Sequence, residues 1–191
     1  MNKLVLIFRL NIFLIILFMY SNAMSYEEPP FNIVYKTEVY EIRHYLDRLA
    51  VQATYNNQDS TFRMLFNYIS GENKESEKIK MTTPVTLFKK SSDMVMQFFL
   101  PLKFSIKTAP KPTDSKVKLI NIEEGYYAVI RYSGRTTDKN FDKHVKILKK
   151  NLKEDKIKII GPSTKAIYNG PFTLPIFRRN EAMFQVDWKN L

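Results

Sequence analysis

Two histidines, His44 and His144, are the only imidazoles in this 191-residue chain, and it contains no cysteine. The missing thiols exclude disulfides, thiolate zinc sites, iron–sulfur clusters and thioether-linked cofactors. Any imidazole-ligated metal centre must use one of these two side chains. His44 is the sharper of the two. It follows Arg43 in the run Tyr40 to Tyr45, so a ligating nitrogen stands beside a guanidinium suited to pairing with a carboxylate. His144 falls between Phe141 and Leu148 on nearly one helical face, which is a boundary position. Glu123 and Glu124 are consecutive, and neighbours in a strand point to opposite faces. Ser133-Gly134 is no nucleophile elbow, and neither a glycine-rich phosphate loop nor a His-x-x-x-His pair occurs. The chain reads as a binder, not an enzyme.

Phe62, Leu65, Phe66 and Ile69 recur at helical spacing and therefore share a face. They serve either as the core beneath a helix or as the lining of an apolar groove, with Met81 nearby and Arg63, Lys78 or Lys80 at its rim. Their helix is expected over 61–70. Gly71 ends it, because glycine takes a left-handed position at no steric cost. Pro84 pushes Thr83 into an extended conformation, and Val85 to Phe88 continue as a strand.

The elements that must position these residues repeat. Strands near 33–43 and 49–55, the helix at 61–70, and strands near 85–89 and 94–100 form a first half. Strands near 117–122 and 126–132, a helix at 139–153, and strands near 164–168 and 182–186 form a second. Phe141, Val145, Leu148 and Leu152 line one face of the second helix, and Thr137 or Asp138 is available to cap it. The prolines of 101–115 mark a surface connection between the halves. The fold class is α+β: an antiparallel sheet curled into a distorted barrel, flanked by two helices, with pseudo-twofold strand-strand-helix-strand-strand repeats.

The length suits one domain. Residues 1–23 read as an export signal, with Lys3 and Arg9 ahead of or within an apolar run and Ser21-Asn22-Ala23 as a cleavage site, which leaves a single domain over 24–191; an uncleaved anchor is the alternative, given Arg9 inside the apolar stretch. The apolar run is shorter than the ~20 residues of a spanning helix, so no stable membrane span is expected after signal removal. The destination is the periplasm or the exterior. The net charge of +11 falls by the charges of Lys3 and Arg9 to +9, which favours anionic partners. No aromatic residue interleaves the lysines of 143–158, so that run reads as a solvated helix face and nucleic acid is not expected as a partner.

The run YISGENKESEKIKMTTPV at 68–85 resembles the signature of the SOUL haem-binding family, typically YISGEN…KI-MTAPV, with Thr83 here in place of alanine. VYEIRHY at 39–45 looks like that family's opening strand, and FRRNE at 177–181 like its closing turn. IRYSGR at 130–135 and YNGPF at 168–172 fit as well. The resemblance implies a fold shared with effector-binding domains of bacterial transcription regulators. It also implies reversible, non-covalent binding of haem or another tetrapyrrole, as a carrier or buffer. His44 matches the proposed axial ligand of a histidine-bearing member, and Arg43 would then pair with a propionate. Phe62, Leu65, Phe66, Ile69 and Met81 would line the porphyrin groove. Two other classes use the same barrel. One is a module for a non-porphyrin amphipathic molecule or a protein partner; the other is a hydrolase, which requires a buried acid of raised pKa.

Overall fold

A computed structural model describes residues 26–55 and 57–188, so the segment read as an export signal lies outside the described residues. The described strands are β1 (Phe31–Lys36), β2 (Glu41–Tyr45), β3 (Arg48–Tyr55), β4 (Val85–Lys90), β5 (Asp93–Phe99), β6 (Lys118–Ile122), β7 (Gly125–Tyr132), β8 (Lys158–Ile159), β9 (Thr164–Ile167) and β10 (Asn180–Asp187). Helix α1 (Gln58–Ile69) lies between β3 and β4, and α2 (Asp138–Glu154) between β7 and β8. The strands form one antiparallel sheet in the order β1-β2-β7-β10-β9-β4-β5-β3-β6, with the short β8 on β10. The sheet curls into the expected distorted barrel with a helix from each half against its outer face. No helix among the described residues is long and apolar enough to cross a membrane.

The order of strands shows the pseudo-twofold plainly. The halves meet along the β4–β9 ladder, and each lends a strand to the other: β2 pairs with β7, and β6 with β3. Helix α1 covers a core of Leu49, Val51, Leu87, Met96 and Phe98, and α2 covers Ile42, Ala128, Ile130, Ala182 and Phe184. Alternation along every strand sends the intervening residues to the inner, concave face.

Local chemistry explains the helix ends. Asn57 caps α1 by accepting from the Ser60 amide at 3.1 Å, which starts the helix a turn earlier than its apolar period indicates. At its other end the Glu72 amide reaches the Asn67 carbonyl at 3.0 Å and the Gly71 amide reaches Tyr68 at 3.3 Å. Gly71 sits at φ +111°, so the stop is a Schellman turn on the expected glycine. Thr137 caps α2, and Lys143, Lys146, Lys149, Lys150 and Lys153 form its solvated face.

One expected strand is two. The stretch read as a single strand near 33–43 folds back as the β1–β2 hairpin, because the Thr37 hydroxyl accepts from the Val39 and Tyr40 amides at 3.1 and 3.0 Å and turns the chain.

Candidate functional site

Strand β2 separates the two neighbours that were expected to act together. Ile42 packs under α2 on the outer face, so His44 shares that outer side, while Arg43 and Tyr45 point inward. His44 stacks on Tyr126 at 4.7 Å, with its Nε2 3.9 Å from Glu124 and a quarter of its side chain exposed. Arg43 is buried. It donates to both carboxylate oxygens of Glu181, at 2.8 and 3.0 Å, and to Glu41 at 2.6 Å. Its guanidinium is therefore already taken by protein carboxylates and is not at a propionate rim.

Glu181 is the hub of the inner face. It accepts from Arg43, from Arg179 Nε at 2.9 Å and from the Tyr168 hydroxyl at 2.7 Å, and Arg179 also grips Glu28 at 2.9 and 3.0 Å. Burial pushes the Glu181 carboxyl up, but hydrogen bonds and charge from Arg43, then Arg179 and Tyr168, hold it below the usual carboxylate range. Burial raises the Tyr168 hydroxyl, and the Glu181 charge raises it further. Glu181 is thus held as a hydrogen-bonded anion. A general acid needs the opposite shift.

Beside this network the curl of the sheet encloses a cavity of about 150 Å³. Phe31, Tyr45, Phe99 and Tyr127 supply its aromatic walls, and Thr86 and Gln97 its polar ones. Gln97 is fixed in place: it donates to Gln52 at 3.0 Å and accepts from Thr86 at 3.1 Å. Arg48, also buried, lies in the wall with its guanidinium carbon 4.2 Å from the Tyr45 ring centre and 4.8 Å from that of Tyr127.

The outer face of α1 carries the other candidate surface. Leu65 and Ile69 are buried in the core, whereas Phe62 and Phe66 are 40% and 47% exposed. The four were expected on one buried face; instead the buried stripe is turned toward Thr61, Leu65, Tyr68 and Ile69. Polar residues occupy it because they are satisfied there, the Tyr68 hydroxyl donating to the Pro110 carbonyl at 2.7 Å and that of Thr61 to Asn57 at 3.1 Å. Phe62 and Phe66 stack on each other at 6.1 Å and, with Asp59 and Arg63, edge an open depression of about 310 Å³. Met81 packs against the core beneath α1. Helix α1 lies on β3 and β5, while His44 sits in the α2 layer, so the structure does not bring His44 to this groove.

His144 stacks on Tyr132 at 4.0 Å. Its Nδ1 lies 2.7 Å from the Asn140 carbonyl, which can only accept, so Nδ1 is the donor. Among the described residues no group of three or more His, Asp or Glu forms a metal site. A further apolar surface is the loop between β9 and β10, where Phe172 is 99% exposed and Ile176 and Phe177 are 72% and 70% exposed.

Sequence reasoning missed the inner face. Glu181 and Arg179 were read only as part of a closing turn, and Arg48 not at all. Two signals were present: Glu41, Arg43 and Tyr45 fall at period two, and Gln97 interrupts the apolar run of β5.

The profile described as SOUL heme-binding protein matches residues 26–185. No curated protein sequence matches the chain. Among solved structures, a hydrolase from Listeria innocua is similar over 81% of this chain and 94% of its own, at 10% identity and a TM-score of 0.59. The EcmrR C-terminal domain is similar over 81% and 99%, at 9% identity and a TM-score of 0.60. An uncharacterised conserved protein from Listeria innocua is similar over 80% and 94%, at 11% identity and a TM-score of 0.58. At these identities the likeness is one of fold.

Proposed function

The chain belongs to the SOUL heme-binding protein family, and from that premise we propose that it is an exported, non-catalytic protein that reversibly binds haem or another tetrapyrrole on the outer face of α1, as a carrier or buffer. Between the inner cavity and the α1 face, size favours the latter. Ligand pockets run from roughly 300 to 1,000 Å³, and the inner cavity of about 150 Å³ is too small to take in a porphyrin. The depression on α1 is open and about 310 Å³, with two aromatic rings to lie against the macrocycle and Arg63 to meet a propionate. Apolar contact supplies the affinity and cations select the carboxylate edge. In this arrangement iron ligation is not required, and His44, in the other helix layer, plays no part.

Titration of the chain from Met24 onward with haem, and in parallel with iron-free protoporphyrin, followed by absorbance, tests the proposal. Saturable one-to-one binding of both with similar affinity supports it. Binding of haem alone replaces it with ligation by His44 or His144, and no saturable binding of either removes the tetrapyrrole altogether. A Phe172→Ala, Phe177→Ala variant titrated alongside tells the α1 face from the exposed β9–β10 loop.

A further inference from the structure

We propose that the inner cavity is a binding site for a small aromatic carboxylate, with Arg48 as the residue that receives its anion. The cavity lies on the face of the sheet away from α1, so the inference stands apart from the tetrapyrrole proposal.

Among the described residues, Arg43, Arg48 and Arg179 are the inner-face arginines withdrawn from solvent, and two of the three are matched. Arg43 is held by Glu181 and Glu41, and Arg179 by Glu181 and Glu28. Arg48 is 7% exposed, and among the described residues its guanidinium has neither a hydrogen-bond nor an ion-pair partner; its Nε is fully buried and unsatisfied. A guanidinium carries five N–H donors and cannot shed its charge, so burying it unpaired is costly. Stacking on Tyr45 and Tyr127, and at 5.5 Å on Phe99, offsets part of that cost and fixes the plane of the group. It does not use the N–H edge, where a carboxylate docks with two parallel bonds. Glu28, the acidic residue in the wall of this cavity, is already engaged by Arg179.

The remaining walls define the rest of the ligand. A cavity of about 150 Å³ is the size that accommodates one six-membered aromatic ring. Aromatic residues line it around the guanidinium, and Gln97, anchored by Thr86 and Gln52, stands ready to meet a polar ring substituent. A bare inorganic anion would leave the aromatic walls unfilled, and a cation would face Arg48. A benzoate-like molecule meets both demands.

The experiment is a calorimetric titration of the chain from Met24 onward with benzoate, benzamide and benzylamine, together with detection of the Arg48 Nε–H signal by NMR. Benzoate is expected to bind one-to-one, about 10-fold or more tighter than its neutral and cationic counterparts, and to shift the Arg48 signal. Arg48→Gln should bring benzoate down to the level of benzamide while porphyrin binding is unchanged. Should that variant fail to fold, the comparison of the three ligands on the unaltered chain still decides. Equal binding of benzoate and benzamide, stronger binding of benzylamine, or no saturable binding of benzoate would each overturn the proposal and leave Arg48 as a structural cation packed between rings.

Discussion

Arg43 and Glu181 meet through two parallel hydrogen bonds of 2.8 and 3.0 Å on the buried inner face, tying β2 to β10 across the intervening β7. The pair locks the strand that the first half lends to the second. It also explains why the motif positions YEIRHY and RRNE, 138 residues apart at these two side chains, belong to one structural unit.

Arg43→Leu is expected to destabilise the domain by about 3–5 kcal/mol, because it strands a buried carboxylate that neither Arg179 nor Tyr168 alone can compensate. Urea denaturation followed by circular dichroism measures it. A loss under about 1 kcal/mol would show that the pair is replaceable.

The same carboxylate sets an acid limit. The folded pKa of Glu181 lies below its unfolded value, so the folded state holds fewer protons on this group. Its contribution is complete above the unfolded pKa and is lost as pH falls through that value toward the folded one. Thermal melts from pH 7 downward should therefore lose stability below about pH 4.5. Glu181→Gln should be less stable at neutral pH and show a shallower acid slope; an unchanged slope would exclude Glu181 as the titrating group.

Asn73 in the GEN motif is a strut, not a ligand. Its amide donates to the Tyr68 and Glu77 carbonyls at 3.0 and 2.7 Å and its oxygen accepts from the Glu77 amide at 3.0 Å, closing the turn after α1. Asn73→Ala should cost about 2–3 kcal/mol in urea unfolding, since it leaves buried backbone groups unsatisfied. Porphyrin affinity of the folded fraction should not change.

Phe62→Ala combined with Phe66→Ala should weaken haem and iron-free protoporphyrin alike by about 10-fold or more, the consequence of removing apolar contact area. Both rings are partly exposed, so the melting temperature should fall by only a few degrees. A variant that binds both porphyrins as before would move the site off α1.

His44→Ala should leave the haem affinity and the absorption spectrum of the complex as they were, because His44 stacks on Tyr126 in the α2 layer. A shifted absorption maximum in that variant would place the iron at His44 after all.

Helices and most strands were legible because amphipathic periods are local. The α2 stripe of Phe141, Val145, Leu148 and Leu152 needed no tertiary information, and Gly71 ended α1 where its freedom at positive φ indicated. The hairpin at Thr37 was hidden because a threonine turn carries no glycine or proline flag. The division of the α1 stripe was hidden too. Phe62 and Leu65 look alike to a hydrophobic pattern, and burial fell to Thr61 and Tyr68 only because Asn57 and Pro110 satisfy their hydroxyls.

The amino-acid sequence by itself determined the family, the repeated order of elements, the absence of thiol chemistry and the restriction of imidazole ligation to two side chains. Tertiary structure decided that Arg43 and His44 part company, that Arg43 is neutralised by Glu181, and that Arg48 is buried with no counter-ion among the described residues. A strand of period two states that neighbours face opposite ways, but not which way is inward. That sign is set only when the exchanged strands pair, the sheet curls and one face closes around a cavity.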